Sequence, residues 1–213
     1  MTLNTEYPPI YDQNNEKERK LREIDLAISH CHDCPLREDT GEYGPTLPQG
    51  FSDAEIMIVA RNPGETELVQ GIPLVGESGV MINDVLYKVG LTRRDCWITN
   101  VNKCHSNKNR KPTEQEIKIC SIYLKKEIET IKPKLILVFG NEAMSLLTPY
   151  YSGVTRHCGE ILDSPNCKLT GKLDSRVVIF PHPSYVMRNK ENGKRLFDKA
   201  TDKLDSLLGV FRC

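Results

Sequence analysis

Four short apolar runs punctuate the chain: EIMIVA at 55–60, CWITNV at 96–101, KLILVFG at 134–140 and RVVIFP at 176–181. Most are continuous rather than alternating, the pattern of strands buried on both faces, as in a parallel sheet covered by helices. Between them the apolar spacing becomes helical. Leu21, Ile24 and Ile28 predict a helix over 16–30, and Ile82, Val85, Leu86 and Val89 one over 78–89 that stops at Gly90. Thr113 and Glu116 form a capping box, after which Ile117, Cys120, Leu124, Ile128 and Ile131 continue one stripe to Pro133. A short helix is expected over 141–147 and a last one over 190–208. Strands alternating with helices imply right-handed crossovers, hence an α/β fold of the three-layer α/β/α sandwich type. Residues 149–175 read as an irregular excursion. Residues 1–15 read as a mobile polar tail, which leaves 16–213 as one domain.

This layout sorts the unusual residues. Asn62 follows the first strand, Asn100 ends the second and His182 follows the fourth, and in a parallel sheet those ends share one edge. A crevice there would hold all three. The segment ARNPGETELVQGIPLVGESG, which opens at Ala60, carries Gly64, Gly71, Gly76 and Gly79, and glycines let a backbone approach a ligand closely. An ordinary surface loop is the alternative for that composition.

Composition narrows the class. With 213 residues, 38% hydrophobic and 27% charged, the chain matches soluble globular proteins. No segment approaches the roughly 20 apolar residues of a membrane helix, and MTLNTEYPPIYDQNNEKERK lacks a signal-peptide core, so a cytoplasmic location without membrane contact is expected. The 29 basic and 29 acidic residues cancel, so no global field recommends a polyanion. Locally, 88–111 holds Lys88, Arg93, Arg94, Lys103, Lys108, Arg110 and Lys111 against Asp95 alone. A second basic stretch runs over 186–199 and includes Arg188 and Lys190. Together they could form a stripe for phosphates or be solvated helix faces.

Eight cysteines in such a chain call for something other than disulfides. Cys31 and Cys34 make a C-x2-C pair in CHDCPL, while Cys104 and Cys120 lie sixteen residues apart. Four thiolates could hold zinc or an iron–sulfur cluster, and structural zinc usually takes two close pairs, which tilts the reading toward [4Fe–4S]. Cys96, Cys158, Cys167 and Cys213 read as small hydrophobes or exposed thiols.

In their order, CHDCPL, ARNPG, GIPLVGESG, ITNVNKC, the Cys120 helix and HPSY resemble the family 4, iron–sulfur branch of the uracil-DNA glycosylase superfamily, over roughly residues 28–190. The resemblance implies a central four-stranded parallel sheet and cleavage of the N-glycosidic bond of a uracil, or related deaminated base, flipped out of DNA. It also implies a [4Fe–4S] cluster on Cys31, Cys34, Cys104 and Cys120. By the same resemblance Asn100 bonds the Watson–Crick edge of the base and His182 donates to the oxygen that gains charge. Gly64, Leu74 and Ser184 line the site, and Arg188 faces phosphate or the gap left by flipping. A monomer acting on DNA is expected.

Three departures stand out. The family's Gly-Glu-Ala is Ala60-Arg61-Asn62, its stacking phenylalanine is Leu74, and its acidic pair survives only as Glu67. Other branches place Asp or Asn at the position of Asn62 to orient the attacking water, which makes Asn62 the expected water-positioning residue and Glu67 the next candidate. Two other readings stay open. One is a DNA-binding protein of the same fold with altered or lost catalysis. The other is a zinc-stabilised nucleotide-binding protein.

Overall fold

The computed structural model describes Asp12 and residues 15–209, so most of the tail expected over 1–15, and Cys213, lie outside the described residues. The helices, in order, are α1 (Glu16–Ser29), α2 (Leu36–Asp39), α3 (Glu65–Gln70), α4 (Glu77–Lys88), α5 (Glu114–Ile131), α6 (Asn141–Leu147), α7 (Pro183–Arg188) and α8 (Lys190–Gly209). The strands are β1 (Ile56–Ala60), β2 (Cys96–Asn100), β3 (Leu135–Phe139), β4 (Ile161–Asp163), β5 (Asn166–Cys167), β6 (Gly171–Lys172) and β7 (Arg176–Phe180).

The main sheet runs β2-β1-β3-β7-β4. β2, β1, β3 and β7 are mutually parallel, as expected, with Ala60 opposite Asn100 and Phe139 opposite Phe180. The expectation of four strands is short by one. Ile161–Asp163 adds an antiparallel edge strand against Val178–Arg176, inside the stretch read as irregular, and Asn166–Cys167 pairs with Gly171–Lys172 as a separate small ladder. Three- and two-residue strands are too brief to announce themselves by periodicity.

The pleat divides the apolar runs between two cores. Met57, Val59, Trp97, Ile136, Val138, Val177 and Ile179 face α1, α5 and α6, while Ile56, Ile58, Ile98, Leu137, Phe139, Val178 and Phe180 face α4 and α8. Both faces of every central strand are therefore covered, which is why those strands read as unbroken apolar runs. The chain leaves β1 for β2 on one side and returns past β1 to reach β3 on the other, so the order reverses at β1 and the strands' carboxyl ends open there.

The helix boundaries follow local chemistry. Thr113 Oγ1 accepts from the Glu116 amide at 3.2 Å and Glu116 Oε2 from the Thr113 amide at 2.7 Å, closing the expected capping box of α5. At its other end Lys132 takes the left-handed conformation ahead of Pro133. Asn15 caps α1, and its Oδ1 accepts from the Lys17 amide at 3.0 Å.

Candidate active site

The segment after β1 is not the open glycine loop that its composition suggests. It folds into α3, with Gly64 as N-cap and Gly71 as a left-handed C-cap. The buried Glu67 ties it together. Its Oε2 accepts from the Gly64 amide at 3.1 Å, and its Oε1 accepts from the Val75 and Gly76 amides at 2.9 and 2.7 Å. A side chain on Gly64 would meet Glu67 Oε2 at 2.7 Å, and one on Gly79 would meet the Leu74 carbonyl oxygen at 1.9 Å. These glycines let the loop close on its own carboxylate and let α4 press against Leu74. Leu74 itself is buried with φ at 53°. Arg93 holds that kink by donating to the Leu74 and Pro73 carbonyls at 2.7 and 2.8 Å. A non-glycine residue in this region is strained, and such strain gathers at ligand clamps.

Together with the ends of β2 and β7, this loop walls a crevice of about 600 Å³. Arg61, Asn62, Gly64, Glu67, Leu74, Asn100, His182, Ser184 and Arg188, all singled out in the sequence, line it. So do Lys111, from the basic stretch, and Asn109 and Met187, which the sequence reading passed over. Met187 follows the HPSY block, and its place one turn after Ser184 in α7 was the available signal.

Three polar groups in the crevice are set for a ligand. Asn100 is buried at the last position of β2, and its Oδ1 has no hydrogen-bond partner among the described residues. A buried orphan acceptor is costly unless something supplies a donor. His182 caps α7: its Nδ1 accepts the Ser184 amide at 3.1 Å and lies 2.8 Å from Ser184 Oγ. That bond makes Nδ1 the bare nitrogen of the neutral ring and leaves the proton on Nε2. Burial first, then the positive charges of Arg61 and Arg188, pushes the ring down to about 4, so at neutral pH it is an uncharged donor. Asn62 is held on three bonds. Its Oδ1 accepts from Arg61 Nε at 2.6 Å, while its Nδ2 donates to the Pro63 carbonyl at 3.0 Å and to Ser106 Oγ at 3.3 Å. One Oδ1 lone pair remains available. Arg61 is partly buried, which lowers its affinity for its proton, and Glu142 at the start of α6 offsets that.

The basic stretch over 88–111 is largely structural, contrary to a continuous phosphate stripe. Arg110 pairs with Glu116 at 2.7 Å and Asp39 at 3.4 Å, Lys88 lies 3.6 Å from Asp198, and Lys103 is buried. Lys111 and Arg188 remain exposed on the crevice, and Lys108 is exposed as well.

The four cysteines of the expected cluster, after α1, ahead of α2, in the turn after β2 and in α5, lie within electrostatic reach of one another. Burial pushes Cys104 up to about 12, and the neighbouring Cys120, Cys34 and Cys31 push it the same way. Cys120 is pushed up to about 11 by burial, with Cys34 and Cys31 adding to it. All four are free thiols. Among the described residues no three His, Cys, Asp or Glu side chains are grouped to hold one metal ion. In a four-iron cluster each thiolate binds its own iron, so ligands need only surround a common centre. Cys96, Cys158 and Cys167 are buried elsewhere, as small hydrophobes. No helix among the described residues is long and apolar enough to cross a membrane.

Comparison with known proteins places this geometry in context. The family model described as "Uracil DNA glycosylase superfamily" matches residues 47–205. The chain is 31% identical over 179 residues to a type-4 uracil-DNA glycosylase of Thermotoga maritima, covering 84% of this chain and 89% of that one. It is 32% identical over 171 residues to the type-4 enzyme of Archaeoglobus fulgidus, covering 78% and 83%. With the type-4 enzyme of Saccharolobus solfataricus it shares 34% identity over 191 residues, covering 84% of each.

Proposed function

The chain belongs to the uracil-DNA glycosylase superfamily, and from that premise we propose that it is a uracil-DNA glycosylase, hydrolysing the N-glycosidic bond of uracil flipped out of DNA as a step in DNA repair. The observation that carries the reading is Asn100, whose buried Oδ1 has no hydrogen-bond partner, lining the same crevice as the neutral, Nε2-protonated His182. A base inside a duplex is unreachable, so it is extruded into a fitted pocket at a cost of a few kcal/mol. Uracil offers an N3–H donor where cytosine offers a bare acceptor, and Asn100 Oδ1 is the group that tells them apart. Leu74 covers the face of the base where an aromatic ring would stack.

Bond cleavage sends the electron pair of the C1′–N1 bond onto the base. His182 Nε2–H donates to the exocyclic oxygen of the base on which that charge collects, a contact worth about 10²–10³ in rate because it strengthens only as charge develops. Arg61 and Arg188 add positive potential at the same place. Asn62, its orientation fixed by Arg61 and Ser106, holds the water that attacks C1′ of the sugar. An amide is too weak a base to take the proton, so it acts by placement and the proton passes to solvent. The products are free uracil and an abasic site. Strand cutting is not part of this reading.

Cys31, Cys34, Cys104 and Cys120 would hold a [4Fe–4S] cluster, whose contribution is to tie α1, α2, α5 and the turn after β2 together rather than to enter the reaction. The test is incubation of anaerobically purified protein with a uracil-containing single strand, with free base measured by chromatography. Uracil and an intact abasic strand are expected. Tight binding without release would favour the non-catalytic DNA-binding reading, and stoichiometric zinc without iron would remove the cluster.

A further inference from the structure

Lys103 lies in a stretch that reads as a phosphate-facing basic segment, yet it is 2% exposed and its partner Glu127 is 0% exposed. Its ammonium makes three contacts: Glu127 Oε1 at 2.5 Å, Thr99 Oγ1 at 2.5 Å and the Asn100 carbonyl at 2.8 Å. The other oxygen of Glu127 accepts from Trp97 Nε1 at 3.1 Å. Two of these contacts are hydrogen bonds to the last two residues of β2, and the contact with Glu127 Oε1 is an ion pair. A buried ion pair is a poor way to gain stability, since a well-packed apolar pair of the same volume does as well or better. Its use here is positional. Asn100 ends the strand, and the carbonyl bond to Lys103 fixes the plane of its outgoing peptide, hence the direction in which its side chain leaves the backbone. Asn100 lines the crevice, and its Oδ1 is buried without a hydrogen-bond partner.

Lys103 is also tied to the cysteine corner. Its own amide donates to Cys120 Sγ at 3.2 Å, and Cys104 follows it directly. We propose that Lys103 and Glu127 are positioning residues for Asn100, aiming its amide at the base and linking the base-facing strand end to the cysteine corner. The proposal rests on the glycosylase reading.

The test uses binding, so it does not depend on turnover. Strands carrying a non-cleavable 2′-fluoro-deoxyuridine or a cytosine analogue are titrated with wild type, Asn100→Ala, Lys103→Met/Glu127→Gln and the triple variant, with iron content and Tm recorded. Gln at 127 keeps an acceptor for Trp97. The neutral pair is expected to keep iron and fold while losing about tenfold or more in preference for uracil. Asn100→Ala should then cost almost nothing further, because coupled residues are non-additive, whereas Arg188→Ala should cost the same in both backgrounds. A wild type without uracil preference would sink the glycosylase reading and this proposal with it. A wild type with that preference, together with an undiminished cost of Asn100→Ala in the neutral pair, would overturn the positioning role alone. Should the neutral pair not fold, Thr99→Val removes one ammonium partner and leaves the ion pair intact. It is expected to lower uracil preference a few-fold, again without adding to Asn100→Ala, and full additivity there would overturn the proposal.

Discussion

The sheet opens on a cavity at each end, and the two differ in kind. At the amino ends of the strands lies the larger one, about 830 Å³, floored by Ile56, Leu91, Leu135, Leu207 and Leu208. Four of the charges around it are bonded within the protein: Lys134 to Glu55, Arg176 to Asp163 at 2.6 Å, and Asp95 to the amide and hydroxyl of Thr92 at 2.7 and 2.8 Å. At the carboxyl ends the smaller crevice keeps an orphan acceptor on Asn100, a neutral imidazole between two arginines and a strained Leu74. Volume points to one end and chemistry to the other. What marks the site is polar capacity left unsatisfied at a cost, which a merely structural hollow has no reason to carry.

The comparison is broken most sharply by changing one residue at each end. His182→Ala should lower the single-turnover rate by about 10²–10³ with little change in Tm. Leu135→Ala, at the floor of the larger cavity, should cost about 2–5 kcal/mol of stability and leave the rate of the folded protein alone. The reverse pattern would put the chemistry at the wrong end of the sheet.

Glu67 lies between these cases. Its carboxylate is bonded to three loop amides, so Glu67→Gln should cost about 1–3 kcal/mol and speed amide exchange at Val75 and Gly76. If it holds the attacking water instead, the rate will fall while amide exchange stays as it was.

The smallest effect is the pH response. With its folded value pushed down to about 4, His182 takes up a proton in the unfolded chain at a higher pH than in the folded one. Its contribution to stability is therefore full above about 6.5, falls as pH drops toward 4 and is flat below that. Rate should stay level from pH 8 to near 5, and the imidazole resonances should titrate near 4. A midpoint at the ordinary histidine value would mean that the ring is neither desolvated nor flanked by the arginines.

Much of this was legible before the structure. The strands announced themselves because burial on both faces leaves them unbroken by polar residues, and once they are parallel, residues at their carboxyl ends must share an edge. Asn62, Asn100 and His182 were reachable by that argument alone. α3 was not, because Gly64 and Gly71 read as loop residues until Glu67 is seen bonding across them. Nor was the Lys103–Glu127 pair, since 24 positions separate the two and a lysine among lysines reads as solvent-facing. Tertiary burial converts it into a strand-end fixture, and sequence periodicity carries no mark of that.

The account's central claim is that the crevice at the carboxyl ends of β1, β2 and β7 receives the base. The most direct measurement is a structure of the iron-loaded protein with free uracil. Uracil is expected in that crevice, with its N3–H on Asn100 Oδ1 and an exocyclic oxygen on His182 Nε2. Uracil bound in the larger cavity at the amino ends, or in the crevice with its N3–H turned away from Asn100, would contradict it.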